Sequence, residues 1–155
     1  MGVEIEHKFL VRGDAWKAQG EPVLIRQGYL SSHPERVVRV RIYGDEAFMT
    51  IKTKTASALS RGEWEYPLPL ADAQEFLDRL CERPIIEKYR RRIEHGGFTW
   101  EVDEFLGANA GLVVAEIEVP SEDQAFERPD WVGDEVTDDS RYLNSNLISH
   151  PFSAW

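Results

Sequence analysis

The residues with the most chemistry in this chain come in pairs separated by a single position, and most pairs carry one sign. Glu4 and Glu6 are followed by Lys8; further on stand Arg39 with Arg41, Lys52 with Lys54, Glu63 with Glu65, Lys88 with Arg90 and Arg92, Glu101 with Asp103, and Glu116 with Glu118. Neighbouring carboxylates repel each other unless a cation or water lies between them, and they hold hard divalent cations through oxygen. Arginine and lysine hold phosphate oxygens, arginine as a planar fork and lysine as a point charge. A site that gathered both sets would suit a polyanion bridged to a divalent metal. Taken alone, the opening EIEHK also reads as the wet face of a half-exposed strand, so the other pairs must decide.

A spacing of two is the period of a β-strand, in which alternate side chains share a face. Apolar residues fill the intervening positions: Val38, Val40 and Ile42; Phe98, Trp100 and Val102; Val113, Ala115, Ile117 and Val119. Strands are predicted over 2–12, 21–32, 35–43, 47–55 and 60–70, with YGDE as a hairpin turn. A second hairpin over 85–105 turns at His95-Gly96-Gly97, and a last strand starts at Gly111 and runs into a short helix near Asp123–Phe126. Residues 13–20 read as a short helix or turn. The stretch 71–81 reads as an amphipathic helix burying Phe76, Leu77 and Leu80, and 138–149 as a helix capped by Asp138 or Asp139. Phe48 breaks parity with Ile51, which predicts a bulge or a misplaced strand end there.

Seven of these eight strands carry charges two residues apart on one face; the other, 21–32, offers Gln27 and Tyr29. A sandwich spreads exposed charge loosely among Ser and Thr. Faces of nearly pure charge, sorted by sign, point instead to a mainly β (α+β) fold: an eight-stranded antiparallel barrel with its polar faces inward and a few flanking helices, one of them C-terminal.

The length of 155 residues predicts one domain spanning 1–155. The net charge of −10 argues against nucleic acid or an anionic membrane as partner. The chain holds neither an apolar run of about 18 residues nor a secretory leader pattern, so no membrane span is expected. The single cysteine, Cys81, cannot form an internal disulfide and suits a reducing cytoplasm. An apolar barrel exterior larger than the few helices can cover invites a homodimer.

These motifs in this order resemble the CYTH superfamily, or triphosphate tunnel metalloenzymes. The resemblance rests on Glu4-x-Glu6-x-Lys8, Arg39-x-Arg41, Lys52-x-Lys54, Glu63-x-Glu65, Lys88-x-Arg90, Glu101-x-Asp103, Glu116-x-Glu118 and the closing VTDDSRYLNSNL, and spans essentially the whole chain. It implies an eight-stranded tunnel that binds triphosphate on basic strands and Mg2+ or Mn2+ on acidic ones. Carried onto this sequence, Glu4, Glu6 and Glu118 become metal ligands, with Glu116 and Asp103 close behind. Lys8, Arg39, Arg41, Lys52, Lys54, Lys88 and Arg90 become phosphate clamps, and Arg141 would reach the tunnel from the final helix.

The superfamily includes inorganic triphosphatases, thiamine triphosphatases, class IV adenylyl cyclases and RNA triphosphatases. The expected reaction is metal-dependent hydrolysis of tripolyphosphate or another small triphosphate. A cyclase, a thiamine triphosphatase and a non-catalytic polyphosphate or nucleotide sensor are the alternatives. Proton-transfer candidates are Lys88 with Tyr29, and the carboxylates Glu63 and Glu65; a lysine among other cations has a lowered pKa and can act as a base.

Overall fold

Nine strands and two α-helices build the structure, a computed structural model that describes residues 2–155. The strands are β1 (Gly2–Val11), β2 (Val23–Ser31), β3 (Val37–Tyr43), β4 (Glu46–Lys54), β5 (Ser60–Leu68), β6 (Ile86–His95), β7 (Phe98–Phe105), β8 (Val113–Glu118) and β9 (Val132–Glu135). Helix α1 (Leu70–Arg79) follows β5, and α2 (Asn144–Leu147) lies near the C-terminus.

All pairings are antiparallel, in the order β5-β4-β3-β2-β6-β7-β8-β1, and the circle closes where Gly2–Ile5 of β1 meet Ser60–Glu63 of β5. Closure satisfies strand edges that would otherwise template association. β5 covers only the first half of its edge of β1; the four-residue β9 takes over beyond it, pairing with Phe9 and Val11. Its sequence, VGDE, carries no alternation, which is why this strand escaped the sequence reading. At the β6–β7 hairpin, His95 pairs with Phe98 across Gly96 and Gly97, both at positive φ. Two such residues in succession make the turn that matches strand twist, and glycine adopts it without strain.

The main core lies outside the barrel wall. Phe9, Trp100, Val102, Ala115 and Ile117 project outward and are covered by Trp16, Phe126 and Trp131 from the connections. On the opposite side, Val40, Ile42 and Ala47 pack under Ala73 and Leu77 of α1 and under Cys81. The structure corrects three expectations here. Leu80 is 60% exposed, because α1 ends at Arg79 and the helical period no longer carries past it. Residues 123–126 are not helical; Ser121 donates to the Asp123 carboxylate in a local turn, and Phe126 is held instead by packing on Phe9 and Trp100. No bulge interrupts β4: its register with β3 and β5 is continuous, so Phe48, opposite Arg41, shares the inward face.

One end of the barrel is filled rather than open. Ile86, Phe105 and Val114 take inward positions beside charged neighbours but are apolar, and they pack with Tyr142, Leu147 and Ile148 of the C-terminal segment. Among the described residues no helix is long and apolar enough to cross a membrane.

Candidate active site

The inward faces enclose a cavity of about 230 Å³ whose lining is mostly charged. Its acidic residues are Glu4, Glu6, Glu63, Glu65, Glu101, Glu116 and Glu118; its basic ones are Lys8, Arg39, Arg41, Lys52, Arg61, Lys88 and Arg90. The strand register sets these charges against one another. Lys52 lies opposite Glu63, Lys8 opposite Glu116, and Arg90 opposite Asp103. Glu6 lies opposite Glu118 and Glu101 opposite Glu116, so the acidic ends of β1, β7 and β8 form one pole.

Several of these groups satisfy one another. Lys52 Nζ donates to Glu4 Oε1 at 3.0 Å and lies 3.5 Å from Glu63. Arg39 donates to Thr50 Oγ1, whose hydroxyl donates to Glu65 at 2.8 Å. Arg90 forks onto both oxygens of Asp103, at 2.8 and 2.9 Å, and Lys88 Nζ reaches Asp103 at 2.8 Å. Burial pushes the Asp103 carboxyl up, but Arg90 and Lys88 outweigh it and hold the group down to about 2. Asp103 is thus 1% exposed and spent on two cations. It lies outside the cavity lining and holds Arg90 and Lys88 from behind.

Other groups are left without an answer. Arg41 forms no ion pair among the described residues and its Nε has no acceptor. Burial, and then the nearby Arg39 and Arg90, drive its guanidinium down to about 9. At the acidic pole the Glu6 carboxyl is pushed well above the usual carboxylate range, first by burial and then by Glu116 and Glu4. Glu118 is raised by burial and by Glu4 and Glu101, and Glu63 by burial and by Glu4. Glu4 and Glu116 stay low despite burial, Glu4 because of Lys52 and Glu116 because of Lys8, a hydrogen bond with Glu6, and Arg90.

This donor set suits a hard divalent cation in kind, being all carboxylate oxygen. Among the described residues no three such side chains converge on one point, since Glu4 is turned onto Lys52 and Glu116 onto Lys8 and Arg90. The raised Glu6 is the sign that a positive charge is wanted there: carboxylates this close cannot all ionise without one.

Lys88 is 1% exposed; burial, opposed by Asp103 but reinforced by Arg90 and Arg41, brings its ammonium down to about 7. Tyr29 is raised by burial and stays a neutral phenol, able to donate a hydrogen bond but not to act as a base near neutrality.

Three predicted residues do not line the cavity: Asp103, which lies behind Arg90 and Lys88, and Lys54 and Arg141. Lys54 has the right parity but is exposed at the end of β4, opposite Arg61. Arg141 lies outside, forked onto Asp139 and stacked over Trp155 at 4.8 Å. The C-terminal segment contributes Leu143, Asn144 and Ser145 to the lining in its place. Sequence reasoning also missed Arg61, although Arg61-x-Glu63-x-Glu65 extends the same alternation, and left Glu101 without a role. Nothing periodic marks Asn144.

The fold and site together define a closed β-barrel whose lumen is built to hold a polyanion alongside a divalent cation. This chain belongs to the CYTH domain family, whose model matches residues 2–150. An inorganic triphosphatase of Acetivibrio thermocellus is 53% identical over 152 residues, covering 98% of this chain and 97% of that one. An inorganic triphosphatase of Nitrosomonas europaea is 40% identical, covering 93% and 95% respectively. A solved crystal structure of an inorganic triphosphatase superposes with a TM-score of 0.66 at 36% identity, over 96% of this chain and 95% of that one. A putative adenylyl cyclase from Hippeastrum, 15% identical, shares the fold alone, with a TM-score of 0.60 over 76% of this chain and 80% of that one.

Proposed function

We propose that this protein is a metal-dependent inorganic triphosphatase that hydrolyses tripolyphosphate to diphosphate and phosphate inside the barrel. The observation that carries the reading is a pair of opposite deficits in one cavity. Arg41 is a half-buried cation with no ion pair among the described residues and a buried Nε without an acceptor, and Glu6 is a carboxylate crowded by Glu4 and Glu116. A triphosphate with its bound divalent cation answers both at once. The relatives at 53% and 40% identity, both inorganic triphosphatases, support it.

Mg2+ or Mn2+ held by Glu4, Glu6, Glu116 and Glu118 would neutralise phosphate oxygens and acidify a water. Arg39, Arg41, Lys52, Arg90 and Lys8 bind and align the phosphate chain and stabilise charge on the departing diphosphate. Lys88, which loses its proton near pH 7, accepts the proton of the attacking water at Nζ. Tyr29 donates a hydrogen bond. Glu65, engaged by Thr50 and near Arg39, orients that guanidinium. Glu63, raised by its surroundings, is the carboxylate alternative to Lys88 as base.

Among the residues lining the cavity Tyr29 is the only aromatic one, and it is 3% exposed. That leaves no aromatic ring lining the cavity itself on which adenine or a thiazolium could stack, which favours an inorganic substrate. The lone cysteine, Cys81, buried beneath α1, accords with a reducing cytoplasm.

Phosphate release should be compared for tripolyphosphate, ATP, thiamine triphosphate and diphosphate, each with Mg2+, Mn2+ or a chelator. Preferential, chelator-sensitive turnover of tripolyphosphate is expected. Cyclic AMP formed from ATP would move the protein to the cyclases, and tight binding without turnover would make it a sensor.

A further inference from the structure

Two lumen lysines reach the C-terminal segment as well as the barrel wall. Lys8 Nζ donates to the Tyr142 carbonyl at 3.2 Å, and Lys88 Nζ donates to Asn144 Oδ1 at 2.8 Å. An ammonium has no lone pair, so the oxygen of the Asn144 amide, not its nitrogen, must face Lys88. The same oxygen accepts from Gln27 Nε2 at 2.9 Å, and Gln27 Nε2 also donates to the Tyr29 hydroxyl at 3.2 Å. Both lone pairs of Oδ1 are therefore used, while among the described residues Nδ2 has no acceptor, in a residue that lines the cavity.

The place matters as much as the bonds. Lys88 sits beside the apolar plug, its Nζ 5.3 Å from the centre of the Phe105 ring, and Asp103 is its other close partner, at 2.8 Å. With Asp103 alone the ammonium would be free to swing about one contact. Asn144 supplies a second acceptor, and two acceptors define a direction. Gln27, fully buried, has a side-chain oxygen without a partner, so its amide is held through Nε2 alone. Loss of Asn144 would loosen Gln27 and, through it, Tyr29.

We propose that Asn144 is a positioning residue of this site: delivered by the C-terminal segment, its side-chain carbonyl aims Lys88 Nζ and the Gln27–Tyr29 pair into the lumen. The inference rests on the triphosphatase reading. It also gives the C-terminal segment a task in the reaction, beyond closing one end of the barrel.

The test is a double-mutant cycle of wild type, Asn144→Leu, Lys88→Met and the double variant, with kcat and KM for tripolyphosphate measured under saturating Mg2+. A hydrogen bond to a charged group sets the scale, so Asn144→Leu should lower kcat/KM about ten-fold or more. In the Lys88→Met background the same change should cost several-fold less, because only the Gln27–Tyr29 contact is left for Asn144 to hold. A role confined to folding would give equal losses in both backgrounds, with a matching fall in Tm. Equal losses, or a wild-type rate for Asn144→Leu, would overturn the inference. If the leucine variant does not fold, Asn144→Ser replaces it. Where turnover is too slow, calorimetric binding of tripolyphosphate completes the cycle. A wild-type protein that releases no phosphate overturns the triphosphatase reading instead, and the binding cycle still decides whether Asn144 works through Lys88.

Discussion

At Arg41 a half-buried guanidinium, its Nε buried without an acceptor, stands beside two other arginines, and among the described residues no carboxylate pairs with it. Such a group costs folding energy and is retained for what it binds. Arg41→Met should therefore stabilise the protein by about 1–3 kcal/mol, the scale of an unsatisfied buried polar group. It should also lower kcat/KM for tripolyphosphate by roughly 10²–10³, the scale of one preorganised donor. Urea denaturation and phosphate release on the same samples check both halves, and a destabilised variant of normal activity would contradict both. Asp103 is the opposite case, an anion that Arg90 and Lys88 share. Its folded pKa lies below the unfolded value of 3.8, so its contribution is present above that pH and is lost as pH falls through about 2. Asp103→Asn should cost about 3–5 kcal/mol at neutral pH by stranding buried cations. In acid unfolding followed by circular dichroism, the variant should lose the steep component of that window which wild type shows.

At the scale of elements, most of the strands could be read from alternation alone, because each has one face in the lumen and one in an apolar layer. What alternation cannot report is which element covers which outer face. Gly28, in β2, shows the constraint: a Cβ there would meet Cys81 Cβ at 2.8 Å and Sγ at 2.9 Å. The chain leaving α1 therefore rests directly on the strand backbone. Gly28→Ala should destabilise by about 1–3 kcal/mol through overpacking. Adding Cys81→Ala should recover part of that loss, since the clash is shared. Thermal melts of the single and double variants give the answer; strictly additive losses would show that Cys81 is not the obstacle. β9, by contrast, is short and irregular, and follows from the need of β1 for a partner beyond the reach of β5.

For the whole molecule, the arrangement is inverted: apolar residues pack outside the wall and seven acids and seven bases meet inside it. The lining is formally balanced, so the net charge of −10 belongs to the rest of the molecule. Separated deficits of opposite sign make metal and anion mutually dependent ligands. Tm should rise little with tripolyphosphate in chelator, modestly with Mg2+ or Mn2+ alone, and most with both. A ligand at about 100 times its Kd adds about 2.7 kcal/mol. Differential scanning fluorimetry tests this on wild type with a slowly hydrolysed triphosphate analogue; a full shift from the anion alone would disprove the dependence.

The sequence by itself determined the barrel and its charged interior, because period two is a property of the extended chain and needs no knowledge of what each strand meets. It therefore placed Glu4, Glu6, Arg39, Arg41, Lys88 and Glu116 on inward faces. Only the tertiary structure decided which charges are spent and which are left over. Asp103 and Arg90 neutralise each other while Arg41 goes unanswered, and that depends on the register of the β6–β7 hairpin and on which side chains the other strands bring beside Arg41. Its place at the very end of β4 removed Lys54, and the path of the C-terminal segment exchanged Arg141 for Asn144. Helices and loops carry no period that links them to a barrel lumen, so a side chain such as Asn144 acquires its role only once the chain has folded over the end of the barrel.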